Sequence, residues 1–210
     1  MLAIQKVPQG DETGAVNPAI LLKVARSPVF LGFCLAQALY VGAEVGFASW
    51  LPTYFRDSLV GGIAWEGVVV TIFWIAMTVG RVGVGPLIGR IPILRFVVVL
   101  TIGGIIGSVL VTIASIPLAA VGCVAWTGLC FSGVFGLILA EAGARYPSVS
   151  GSVFGAVTAA GGVGGAILPW SIALLAGAAL NWRASLLLVP ASMTALAVVI
   201  LLLGRTGKGQ

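Results

Sequence analysis

The sequence predicts an all-α membrane protein with six transmembrane helices. Three observations carry this reading. Of 210 residues, 60% are hydrophobic and only 8% are charged, whereas soluble domains carry about 25% charged residues. The mean hydropathy is +1.16. The chain also divides into six apolar stretches, each long enough to cross a bilayer at about 20 residues. So little charge cannot cover a water-facing surface, which excludes a soluble enzyme, a nucleic-acid-binding protein and a disordered chain.

The elements follow in order. Residues 1–27 hold Lys6, Asp11, Glu12, Lys23, Arg26, Pro8 and Pro18, and read as a cytoplasmic tail or linker with a short interfacial turn near 19–24. The spans are predicted at 29–54, 67–88, 96–116, 118–142, 151–179 and 184–203. Breakers separate them. Arg56-Asp57 and Gly61-Gly62 close the first, and Gly89-Arg90-Ile91-Pro92 with Arg95 closes the second. Ser115-Ile116-Pro117 makes a tight third turn. Arg145-Tyr146-Pro147-Ser148 ends the fourth span and Asn181-Trp182-Arg183 the fifth. Pro169 predicts a kink or early exit in the fifth. The organisation is therefore a tail (1–27), a six-helix domain (28–205) and a short cytoplasmic tail (206–210).

Each triplet of spans ends on the side opposite its start, so a duplication would be inverted. Such 3+3 repeats are typical of transporters. Lysine and arginine set the orientation. Lys6, Lys23, Arg26, Arg81, Arg90, Arg95, Arg145, Arg205 and Lys208 fall on one side, and only Arg56 and Arg183 on the other. Both termini are expected in the cytoplasm of a multi-pass cell (inner) membrane protein.

Thirty glycines are twice the usual share of roughly 7%. Gly42 and Gly46, Gly85 and Gly89, Gly103 and Gly107, and Gly161 and Gly165 are each four apart. Gly128-Ser132-Gly136 and Gly151-Gly155-Ala159 continue the pattern. That spacing lays small residues on one helix face, where a second helix can dock closely. The density of glycine over 151–165 also suits a helix that bends or slides. Histidine is absent, which removes imidazole chemistry. Cys34, Cys123 and Cys130 lie in apolar runs without metal-ligand spacing and read as small hydrophobes. No metal or other cofactor is expected, and an intramembrane enzyme is disfavoured.

Glu44 is the one ionisable residue deep in a span. A carboxylate at mid-bilayer costs about 2.5 kcal/mol or more and marks a functional site by default. Gln37, Tyr40 and Glu44 fall within a roughly 60° arc at 100° per residue. This polar stripe suits a cavity wall, where Glu44 could bind a polyol or carry a proton. The other reading is a structural carboxyl bonded to a neighbouring helix. Thr71, Trp74 and Thr78 share a face of the second span, and an indole face can stack on a sugar ring. Thr101, Ser108 and Thr112 on the third span are expected to bond back to their own helix. Trp50, Trp65 and Trp182 read as interface anchors. Glu141 with Arg81 or Arg90 would close a cytoplasmic gate, with local Glu141–Arg145 pairing as the alternative.

The stretch from Tyr40 to Tyr54, YVGAEVGFASWLPTY, resembles the seventh helix of major facilitator superfamily (MFS) transporters, closest to the fucose permease-like sugar branch. TVGRVGVGPLIGR, from Thr78 to Arg90, is similar to that family's eighth helix and following loop. There Gly85, Leu87 and Arg90 match the loop motif G-x-L-a-D-r, and Gly89 replaces its acidic position. Ser132–Gly136 and Gly151–Trp170 resemble the tenth and eleventh helices. The resemblance covers about 28–204 and implies the second half of a twelve-helix transporter, with residues 1–27 as the linker between halves. It implies alternating access of a small-molecule solute, such as a sugar, at a site between two halves. The partner would be a second six-helix half or, in a homodimer, a second copy. A truncated or non-transporting relative is the competing reading.

Overall fold

The structure, a computed structural model, describes residues 18–178 and 181–206. The outer parts of both expected tails, with Lys6 and Lys208, and the expected end of the fifth span at Ala179 lie outside the described residues. Among the described residues, six helical segments are long and apolar enough to cross a membrane.

A short helix, α1 (Pro18–Ala25), precedes the first span, α2 (Pro28–Ser58). α3 (Val69–Val84) and a terminal 3-10 turn form the second span, and α4 (Ile93–Ile113) the third. The fourth is broken into α5 (Pro117–Phe131) and α6 (Val134–Arg145). α7 (Ser150–Gly177) is the fifth, and α8 (Trp182–Leu186) with α9 (Leu188–Thr206) the sixth.

The starts follow local chemistry. Pro28 and Pro117 open α2 and α5, at the position where the missing N–H has no partner to lose. Asn181 caps α8, its side-chain oxygen accepting from the Ala184 N–H at 2.8 Å. Gly89 has φ +86° in the tight turn between Ile88 and Ile91. Glycine adopts that left-handed backbone at no steric cost.

Two expectations are corrected. α2 runs through Arg56 and Asp57 to Ser58 rather than breaking before them. α7 continues through Pro169, so the early exit does not occur. Trp50, expected as an interface anchor, donates its Nε1–H to the Pro169 carbonyl at 2.8 Å and packs on Trp182 with ring centroids 5.0 Å apart.

The helix contacts have the symmetry of an inverted repeat. α2 packs on α7 and α9, α5 packs correspondingly on α3 and α4, and α4 meets α9. Exchanging the first triplet for the second maps this set onto itself. The core is aromatic where α2, α3 and α5 converge. Phe73 lies 5.5 Å from Phe47 and 6.1 Å from Phe131, and Tyr40 lies 5.8 Å from Phe131, centroid to centroid.

The closest approach is between α2 and α7. A Cβ on Gly164 would overlap the Ala38 carbonyl, and one on Gly42 would sit 2.9 Å from the Gly164 carbonyl oxygen. Each glycine therefore admits the opposite backbone. The other face of α7 is open: Gly151, Gly155 and Gly162 have no heavy atom within 4 Å of such a Cβ. Gly164→Ala is expected to destabilise the bundle by about 1–3 kcal/mol, as overpacking does. Gly162→Ala should be neutral or stabilise by up to about 1 kcal/mol through helix propensity. Unfolding in mixed detergent–SDS micelles checks the contrast.

Candidate functional site

α2 carries the expected stripe inward. Gln37 and Tyr40 are fully buried and Glu44 nearly so. The three contact different parts of the bundle. Gln37 packs over Gly161 of α7, and among the described residues neither its amide nitrogen nor its amide oxygen has a hydrogen-bond partner. Tyr40 donates its hydroxyl proton to the Phe131 carbonyl oxygen at 2.7 Å. This is the last carbonyl of α5, released where the span breaks at Ser132-Gly133. Ser132 turns its own hydroxyl onto the Leu129 carbonyl at 2.7 Å.

Glu44 reaches a cavity of about 550 Å³ between α2, α3, α6 and the break. Arg81, Ser132, Gly133 and Gly136 share its wall, and Ile88 and Ile93 mark its end at the α3–α4 turn. Among the described residues neither Glu44 nor Arg81 closes an ion pair within 4.0 Å. Arg81 places one Nη2 3.3 Å from the Met77 sulfur. A carboxyl, a guanidinium and a hydroxyl thus face one space without consuming each other. Such a set can bind a polar solute from several sides.

Arg81, an expected gate residue, lines the same cavity as Glu44. Its own helix shows why. Thr71, Trp74, Thr78 and Arg81 fall within an arc of about 80° on α3. All four are exposed, forming a stripe whose end meets the α2 stripe at the cavity. The Thr78 hydroxyl bonds back to the Trp74 carbonyl at 2.8 Å. Thr71, Trp74 and Thr78 therefore do not join Gln37 and Tyr40; they lie on the open face of α3.

The remaining gate residues also separate. Among the described residues, Glu141 pairs with Arg145 (Nε to Oε1, 3.1 Å), and not with Arg81 or Arg90. Arg145 also donates to the Leu203 carbonyl of α9 at 3.3 Å and lies 5.6 Å over the Phe33 ring. In this conformation it ties α6 to α9 and α2. Arg90 is exposed in the α3–α4 turn. On α4, Ser108 and Thr112 bond back to their own helix at 3.1 and 2.7 Å, as expected, while the buried Thr101 hydroxyl has no partner. The break at Ser132-Gly133 was the feature not foreseen. Its signal was present in a serine followed by glycine at mid-span, within the Gly128-Ser132-Gly136 pattern.

Six apolar helices in an inverted 3+3 arrangement, with a cavity at a broken helix that Glu44 and Arg81 line, define a polytopic membrane bundle. The sequence profile of the Major Facilitator Superfamily matches residues 4–169, and the chain belongs to that family. Two solved structures share its fold. One is a point variant of the E. coli fucose:proton symporter FucP, with a TM-score of 0.77 and 16% identity over 89% of this chain and 45% of that one. The other is FucP in its outward conformation, with a TM-score of 0.78, the same identity and the same coverage. The chain thus spans less than half the length of these transporters. No curated protein matches it.

Removing the Tyr40 hydroxyl tests how the break is held. Tyr40→Phe leaves the buried Phe131 carbonyl without a partner and should cost about 1–3 kcal/mol. Thr78→Val removes only an exposed back-bond and should stay within about 0.5 kcal/mol. Both shifts are read from unfolding in mixed micelles.

Proposed function

We propose that this chain forms half of a secondary transporter moving a small polar solute, of the sugar class, across the cell membrane by alternating access. The observation that carries the proposal is the pairing of Glu44 and Arg81 on one cavity wall beside a broken helix, with no ion pair between them. A charged side chain inside a membrane bundle is costly, and its retention speaks for use. Broken helices offer free backbone groups to solutes and coupling ions at such sites. The family membership and the likeness to a fucose:proton symporter support the sugar class and proton coupling.

Glu44 is the coupling group in this reading. Tyr40 stands one turn away, and its only proton is given to Phe131. Its oxygen is left as an acceptor, which suits a protonated Glu44 carboxyl. Proton loss would end that contact and free the carboxylate to face Arg81. Solute hydroxyls would then compete for the same two charged groups.

A second six-helix unit completes the site. The open faces favour this: only 22% and 17% of the residues in the most apolar stretches of the second and fifth spans are buried, against 44–56% in the other four. These two spans carry Trp74 and the uncovered glycines of α7. The unit is a separate first half or a second copy of this chain, and the termini lie in the cytoplasm.

Uptake of a sugar panel into proteoliposomes, with and without a co-expressed first half, tests the proposal. Glu44→Gln should abolish proton-driven uptake while retaining solute exchange. Arg81→Gln should raise the solute KM about 10–100-fold, the worth of one charged hydrogen bond. Proton-driven uptake unchanged by Glu44→Gln would exclude the coupling role, and no uptake of any sugar in either preparation would exclude the solute class.

A further inference from the structure

A second cavity, of about 680 Å³, lies between α4, α6 and α9. It is separate from the Glu44 cavity, sharing with it only Ile93. Its walls are apolar, formed by Ile93, Val98, Val99, Ile200 and Leu201. Val99 and Leu201 are 63% and 55% exposed, so the groove opens to the outside of the bundle, where acyl chains run.

Its end is built for an anion. Arg95 stands in the first turn of α4 and Arg205 in the last turn of α9, so both lie at the level where the spans end. Both are exposed, and among the described residues neither closes an ion pair. α4 begins here without a side-chain cap and without an acidic residue in its first turn. Its free N–H groups at Ile93, Leu94 and Arg95 therefore favour negative charge at the same point. Glu141 also lines the groove, and its charge is already met by Arg145 at 3.1 Å.

We infer that this groove binds an anionic phospholipid, with its phosphate on Arg95, Arg205 and the start of α4, and an acyl chain along the apolar wall. Charge complementarity selects the headgroup. The apolar groove, open to the outside of the bundle, selects a lipid over a soluble phosphate. The site holds the cytoplasmic-side ends of α4 and α9 together in the membrane, and it is independent of what the transporter carries.

Binding of phosphatidylglycerol, phosphatidylcholine and glycerol 3-phosphate to the purified full chain in detergent, read by native mass spectrometry, tests the inference. Phosphatidylglycerol should bind at least about tenfold more tightly than phosphatidylcholine. Each arginine at a membrane surface is worth about a fivefold effect, so the double variant Arg95→Gln, Arg205→Gln should lose about thirtyfold. Lys23→Gln, outside the groove, should change nothing. Gly204→Leu fills the groove while leaving both arginines in place; its Cβ would meet Leu94 Cδ1 at an ordinary 3.8 Å. It should weaken phosphatidylglycerol at least about fivefold. Equal binding of the two lipids, or a double variant that binds as tightly as the parent chain, would overturn the assignment. So would glycerol 3-phosphate matching the lipid's affinity, with Gly204→Leu without effect; that pattern describes a soluble-phosphate site.

Discussion

The bundle rests on one requirement: in hydrocarbon every backbone carbonyl that a helix end or break releases must find a donor within the protein. This chain meets it with long side chains from neighbouring helices. Tyr40 serves Phe131 at the α5–α6 break, and Tyr54 serves Val111 near the end of α4. Trp50 and Ser192 add bonds to carbonyls inside helices, at Pro169 of α7 and Leu39 of α2, as further ties between spans. At one end Arg183 reaches Ser58 and Ala114, joining the ends of α2 and α4. At the other, Arg145 reaches Leu203. Each bond makes a local backbone demand into a tie between helices distant in sequence. The same donors fix how the helices sit, and so where Glu44 lies.

Close packing does the rest, and it is unevenly distributed. α2 is buried along its length and admits α7 to backbone contact through Gly42 and Gly164. α7 has only four buried residues, Val153, Val157, Gly161 and Ile172. Its glycines therefore do two different things. Some bring it against α2, and others leave a smooth face with nothing against it. A helix clamped on one side and bare on the other suits the proposed second unit, which would rock against its bare face.

Most of the architecture was legible because hydropathy and breakers are local signals. Six spans, the short helix before them and the turn at Gly89 follow from composition, proline and glycine read along the chain. The inward Gln37-Tyr40-Glu44 stripe was legible from helical spacing alone. What spacing could not supply was which helix each stripe faces. Thr71, Trp74 and Thr78 fit a cavity wall by periodicity as well as Gln37 does; the fold sets Gln37 inside the bundle and the other three on the open face of α3. Arg81 shows the same limit from the other side. Counted by charge, it belongs to a span end, and the fold does set it in the last turn of α3; charge alone did not show that this end shares a cavity with Glu44. The Ser132-Gly133 break was hidden because the residues that break the helix also make a small-residue seam, and only the tertiary contact from Tyr40 decides between the two.

The Tyr40 contact links the structural and chemical arguments. A broken helix in a membrane is tolerated only where something satisfies its freed carbonyl. Here the satisfier is one turn from the single buried carboxyl of the span, and the break itself lines the cavity that Glu44 shares with Arg81. The tyrosine cannot give its proton to Phe131 and to Glu44 at once. With Glu44 protonated, as proposed, it can meet both, donating to Phe131 and accepting from the carboxyl. In the proposed coupling role, loss of the Glu44 proton would remove a donor from the same hydroxyl that holds the α5–α6 junction. Among the described residues, the fold thus sets the α5–α6 break and the buried Glu44 carboxyl on either side of Tyr40.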